Sequence, residues 1–366
     1  MTGVNYYSRR VIGENMKKIL LVMVGGTICT EVNDEGILTV NKKAGVQLIE
    51  NFKKSDSAYK NCVEFDMTEN LCILSENLTV DNWNRILDTY KKHIKNDSYD
   101  GVLIAHGTDT LAYSAALFSQ ILADTEVPVF LVSAQARLEL PHSNGNENFR
   151  CAVECICQGI VPNVYVAYKN ISDGRLLLHI ASRLEQCKNY SEDLHSKGAI
   201  DITNINDDKI EEILNAFPRE NVKVMIDKDK LTLKECVLML TPYVGINYGV
   251  YDYSRFGAIL HGTYHSGTAC VEDKTSQRSI LYMIDKCSAM GVDCFFAPSK
   301  EHGEIYHTVS DISKFTTENG KKIGFLYGMT IEAAYAKLLV AYSYFDDKEK
   351  IKEFIHTECN FEFFDK

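Results

Sequence analysis

Proline is scarce in this 366-residue chain, at six residues, and tryptophan occurs once. With glycine at an ordinary 22, that composition excludes collagen-like and proline-rich disordered chains. No apolar run approaches the ~20 residues of a bilayer-spanning helix. The longest near the N-terminus, residues 19–24, spans only six positions. It follows Lys17-Lys18, yet it is too short for a secretion signal and no small-residue cleavage site follows. Met16 reads as a natural start, which makes residues 1–15 a loose extension. No basic stripe offsets the net charge of −11, so neither nucleic acid nor a membrane is an expected partner. Cysteine is plentiful, at twelve, but no Cys-x-x-Cys pair occurs, and Cys151, Cys155 and Cys157 crowd one apolar stretch. Free buried thiols in a reducing cytoplasm are expected rather than disulfides.

What is present is ample core material: 45% of residues are hydrophobic, and the length suits two domains. Buried strands are predicted over 19–24, 101–105, 129–132 and 164–168. Helical faces are predicted through Trp83, Ile86, Leu87, Tyr90 and Ile94, through Leu111, Ala115, Phe118 and Leu122, and through Phe149, Val153 and Ile156, the last closed by Gly159. Such strand–helix alternation implies a mostly parallel sheet with helices on both faces. A helix through Ile210, Ile213, Leu214 and Phe217 ends this part, and the charged stretch 218–234 reads as a linker. Strands at 236–240, 258–262 and 294–297, with a helix through Ile331, Ala334, Leu338 and Leu339, resume the pattern. The expected fold is therefore α/β, with a larger N-terminal parallel-sheet domain (17–217) and a smaller C-terminal α/β domain (235–366).

In open parallel sheets ligands bind beyond the carboxyl ends of the strands. Two loops there carry chemistry. Val24-Gly25-Gly26-Thr27-Ile28 lets the backbone turn tightly and sets a hydroxyl just past a strand, although a plain strand-ending turn would look the same. His106-Gly107-Thr108-Asp109-Thr110 packs an imidazole, two hydroxyls and a carboxylate before a helix, where N-capping accounts for one polar residue and leaves three. Together they offer a hydroxyl that attacks and a hydroxyl–carboxylate pair that handles protons, as acyl transfer needs. Neither common phosphate-loop spacing occurs. Residues 262–267 lack the serine-elbow spacing, and His261 and His265 lack a zinc-site context, so no metal is expected.

At these loops the sequence resembles the bacterial-type L-asparaginase family, closest to its cytoplasmic type I branch. The family's T-G-G-T-I stands as Val24-Gly25-Gly26-Thr27-Ile28, and its H-G-T-D-T-[ML]-x-x-[ST]-A as His106-Gly107-Thr108-Asp109-Thr110-Leu111-Ala112-Tyr113-Ser114-Ala115. Asn33-Asp34-Glu35-Gly36 resembles the type I lid, and Ser75-Glu76-Asn77-Leu78-Thr79 the substrate-binding segment. Residues 128–135, with Asn148 beyond, Asp173-Gly174-Arg175 and Met329-Thr330-Ile331-Glu332-Ala333 extend the likeness over most of 17–345. The resemblance implies hydrolysis of L-asparagine to L-aspartate and ammonia, with Thr27 as nucleophile forming an acyl-enzyme. Thr108 and Asp109 would form the second polar cluster, with Asp109 also holding the α-amino group. Ser75 would bind the α-carboxylate, Glu76 would face the α-amino end, the Ala134 carbonyl would receive the leaving nitrogen, and Gly107 would line the substrate. It further implies no cofactor, a small amino-acid substrate, a cytoplasmic location and a homodimer or homotetramer.

Three positions depart from the family pattern. Val24 replaces a threonine that does not react. The lid tyrosine falls on Ile37, which has no proton to share. The catalytic lysine falls on His179, either a neutral base or a cation in its place, or a polar filler of a vacated site; Arg183 is the alternative cation if the alignment slips. Two other functions stay open on these departures: an amino-acid-binding relative with impaired turnover, and an amidohydrolase of another small ω-amide.

Overall fold

The first apolar run folds as β1 (Lys17–Met23). Leu20, Val22 and the following Val24 pack into one core while Ile19, Leu21 and Met23 pack into another. Burial on both faces is why this strand reads as continuously apolar rather than alternating.

In the computed structural model, residues 16–32, 35–41, 43–299 and 306–364 are described; the extension 1–15 and the lid residues Asn33 and Asp34 lie outside them. After β1 comes an antiparallel hairpin of β2 (Thr30–Val32) and β3 (Leu38–Val40). Then follow α1 (Ala44–Lys54), β4 (Val63–Met67), α2 (Val80–Asn96), β5 (Gly101–Ala105), α3 (Leu111–Ile121) and β6 (Val129–Val132). The first sheet is completed through α4 (Gly145–Cys157), β7 (Val164–Lys169), β8 (Leu176–Ile180), β9 (Ile200–Asp201) and α5 (Asp207–Ala216). Among the described residues its strand order is β4-β1-β5-β6-β7-β8-β9. The strands from β4 to β7 are parallel; β8 and β9 are antiparallel additions at one edge. Gly174, at φ 70°, lets the chain reverse between β7 and β8, where Asn170 and Arg175 close the turn.

The second sheet uses β10 (Val237–Leu240), β11 (Ala258–His261), β12 (Asp293–Ser299) and β13 (Gly324–Tyr327), all parallel, with α6 (Ile280–Ala289) and α7 (His307–Lys314) between them. Helix α8 (Ile331–Tyr344) follows, then α9 (Lys348–His356). α3 and α8 are buried on nearly every side because they pack on each other between the two sheets. Tyr113 of α3 meets Tyr335 of α8 edge to face at 5.9 Å.

The tail returns to the first sheet. Ser182 Oγ donates to the Asn360 carbonyl at 2.6 Å, Asn360 Nδ2 to the Ser119 carbonyl at 3.0 Å, and Arg183 Nη2 to the Phe363 carbonyl at 3.0 Å. Phe361 packs against Phe217. A fully buried ion pair, Lys337 with Glu362, fastens the same segment to α8. All twelve cysteines are free thiols, and no helix is long and apolar enough to cross a membrane among the described residues.

Candidate active site

Backbone contact between glycines builds the site. Gly26 lies against Gly107 so closely that a Cβ on Gly26 would sit 2.0 Å from the Gly107 Cα; a Cβ on Gly107 would lie 2.5 Å from Ser75 Cβ and Oγ. Gly25 presses on Ile73, and Gly26 N donates to the Ile73 carbonyl at 3.0 Å. Gly25 and Gly26 also take φ of 140° and 79°, which side-chain-bearing residues rarely adopt. Three loops thus meet at the carboxyl ends of β1, β4 and β5. They bring Thr27, Ser75, Gly107, Thr108 and Asp109 around one spot.

Polar contacts then orient the side chains. Thr108 Oγ1 donates to the Ala134 carbonyl at 3.0 Å, and Ser75 Oγ to Asp109 Oδ2 at 3.3 Å. Thr110 Oγ1 donates to the Ser75 carbonyl at 3.1 Å. The Thr27 hydroxyl has no hydrogen-bond partner among the described residues, nor do the backbone N–H groups of Thr27 and Thr108. Glu76 and Ile37 are exposed. Ala134 is held from behind: Asn148 Nδ2 donates to the Ser133 carbonyl at 2.9 Å, and Asn148 Oδ1 accepts from Lys169 N at 2.7 Å.

His106 serves the loop from below. Indole N–H only donates, so Trp83 Nε1 gives its proton to Ser114 Oγ at 2.8 Å, and Ser114 gives its own to His106 Nε2 at 2.9 Å. The imidazole proton is therefore on Nδ1, donated to the Gly107 carbonyl at 2.8 Å. Burial pushes this imidazole down to about 4, so it is neutral. Nothing in the sequence marks Trp83 or Ser114 for this role, because the relay joins α2, α3 and the residue just past β5.

His179 is fully buried on β8. Its Nδ1 bonds Ser196 Oγ at 2.7 Å, its Nε2 has no partner, and no hydrogen bond joins it to Thr108 or Asp109 among the described residues. Burial, with the charge of His195, pushes its pKa down to about 3. It is a neutral group and supplies no fixed charge. Arg183 is committed to the tail carbonyls of Phe361 and Phe363. Sequence reasoning missed Gln186, whose side-chain N–H donates to the Asp109 carbonyl. No group of three His, Cys, Asp or Glu that could hold a metal occurs among the described residues.

Comparison with known proteins agrees with this architecture. The family model for the N-terminal part of asparaginase matches residues 18–214, more than half of the chain. A glutamyl-tRNA(Gln) amidotransferase subunit of Methanococcus maripaludis (strain C7) is 31% identical over 209 residues, 53% of this chain and 47% of that protein. The corresponding amidotransferase subunit of Pyrococcus horikoshii is 24% identical over 298 residues, 78% of this chain and 64% of that protein. The chain thus spans about half to two thirds of the length of these relatives. In fold it is similar to the thermostable L-asparaginase from Thermococcus kodakarensis (TM-score 0.68, 19% identity, 95% of this chain and 100% of that one). It is similar also to L-asparaginase I from Vibrio cholerae (TM-score 0.66, 21% identity, 95% and 99%). On the family match and the architecture together, this chain belongs to the asparaginase family.

Proposed function

We propose that this protein hydrolyses the side-chain amide of L-asparagine through an acyl-enzyme on Thr27. What supports the reading is the glycine-to-glycine contact that brings the loop carrying Thr27 against the loop carrying Thr108 and Asp109. Thr27 Oγ attacks the amide carbon, its proton passes to the leaving nitrogen by way of Thr108, and ammonia departs. Water then cleaves the ester, giving aspartate and restoring the hydroxyl. The N–H groups of Thr27 and Thr108 stabilise the oxyanion, Ser75 holds the α-carboxylate, and Asp109 and Glu76 face the α-amino end. The Ala134 carbonyl takes the departing nitrogen.

His179 being neutral, the Thr108–Asp109 pair works without a lysine-like cation. A missing proton-transfer partner typically costs ~10²–10⁴-fold, so turnover is slow beside a family member that keeps its lysine. Free thiols support a cytoplasmic location, and a homodimer or homotetramer is part of the proposal. The amidotransferase subunits among the relatives favour a second reading, in which hydrolysis of a side-chain amide, that of glutamine rather than asparagine, feeds nitrogen to a partner protein.

Ammonia release from L-asparagine and L-glutamine by the purified chain, with Thr27→Ala as control, tests both readings. Thr27→Ala should lose at least ~10³-fold of the asparagine activity. Equal rates in the two proteins would remove Thr27 from the mechanism. Release from glutamine alone, stimulated by a partner, would favour the second reading.

A further inference from the structure

The loop carrying Asp109 is tied to the second sheet's helix by one residue. Gln186 lies in the segment following β8. Its side-chain N–H donates to the Asp109 carbonyl, and its backbone N–H donates to Glu332 Oε1 at 3.1 Å. Glu332 stands in the first turn of α8, 5% exposed, just beyond the cap in which Thr330 Oγ1 accepts from Ala333 N at 3.1 Å. No residue of α8 hydrogen-bonds directly to residues 106–110 among the described residues, so this tie runs through Gln186. Gln186 Oε1 is buried and has no partner there, so the amide is held in place by its donor side alone. The Asp109 carboxylate is steadied separately, by Ser75.

We infer that Gln186, anchored by Glu332, is a positioning residue that sets where the Asp109 carboxylate meets the α-amino group of the bound amino acid. This rests on the proposed placing of that amino group at Asp109. Removing the Gln186 donor frees the Asp109 backbone to shift, and the loss falls on ligands that carry an α-ammonium. Ligands that lack one lose less, because Thr27 and Ser75 stand on other loops, those after β1 and β4.

Calorimetric binding of L-aspartate and of succinate, its counterpart without the amino group, reads this directly. Gln186→Met keeps the bulk and removes the donor; it should weaken aspartate binding ~3–10-fold and change succinate binding by less than ~2-fold. Glu332→Ala should give the same pattern through Gln186, with thermal melting of both variants followed as a fold control. Unchanged aspartate affinity, an equal loss for succinate, or no aspartate binding by the unaltered protein would overturn the inference. If the unaltered protein binds aspartate with this pattern yet releases no ammonia from asparagine, the hydrolytic reading fails and the positioning role stands.

Discussion

Three histidines make the fold sensitive to mild acid. His106, His179 and His261 are fully buried, and burial holds them at about 4, about 3 and about 4. An unfolded chain protonates the same imidazoles near ~6.5. Folded pKa values below the unfolded one mean that the unfolded state binds more protons as pH falls. The stabilisation is therefore complete above about pH 6.5 and is lost progressively towards the folded values. At about pH 5 each group has forfeited about 2 kcal/mol, and the three together about 6 kcal/mol. That rivals the whole stability of a typical domain, ~5–15 kcal/mol. His356 is shifted the same way, first by burial, but it is exposed and adds little. Glu332, whose carboxyl burial raises, works in the opposite sense and trims the effect. Urea unfolding followed through Trp83, the one tryptophan and a buried one, at about pH 7.5 and about pH 5, should show the drop. His179→Leu should remove about a third of it. Equal unfolding free energies at the two pH values, or an imidazole of these three titrating near ~6.5 in the folded protein, would refute the reasoning.

On the proposed mechanism the same neutrality has a second consequence: kcat/KM for asparagine should show no inflection between about pH 5.5 and 8. An inflection near ~6.5 that disappears in His179→Leu would mean that His179 ionises within the site. Gly26→Ala places a methyl 2.0 Å from the Gly107 Cα at a φ of 79°. The loops must part, and kcat/KM should fall by at least ~10²-fold with a loss of ~1–3 kcal/mol in stability. An ammonia assay and a thermal melt check this, and a fully active Gly26→Ala protein would show that the close approach is dispensable.

Much of the frame is legible in the sequence because burial on both faces leaves no ambiguity in a short apolar run. The stretches 101–105 and 129–132 fold as β5 and β6 with those same limits. Gly159 does stand just past the end of α4, at φ 78°. The sequence reading does not include β8, although Asp173-Gly174 is a turn signal between two apolar runs; its antiparallel placing also departs from the parallel rule. β4 escapes notice because Val63–Met67 mixes Glu64 and Asp66 with apolar residues at a partly exposed edge. At the site, the loops can be read from Gly-Gly-Thr and Gly-Thr-Asp, since local backbone demands leave marks in local sequence. The Trp83–Ser114–His106 relay and the Gln186–Glu332 tie cannot. Each joins residues distant in the chain, and no spacing rule encodes a contact made by tertiary packing. The fate of His179 is of the same kind: its type suggests an ionisable partner, and its surroundings make it a neutral one.

The returning tail has a bearing on how the molecule comes to be made. Ser119, Arg183 and Phe217 are covered by residues 360–363, so the half bearing Thr27 is synthesised well over a hundred residues before its lid of aromatic rings. Until those rings emerge from the ribosome, Phe217 lacks its partner and the Arg183 guanidinium lacks its carbonyls. A nascent chain in that condition presents an unfinished apolar seam to whatever chaperone or stray neighbour arrives first.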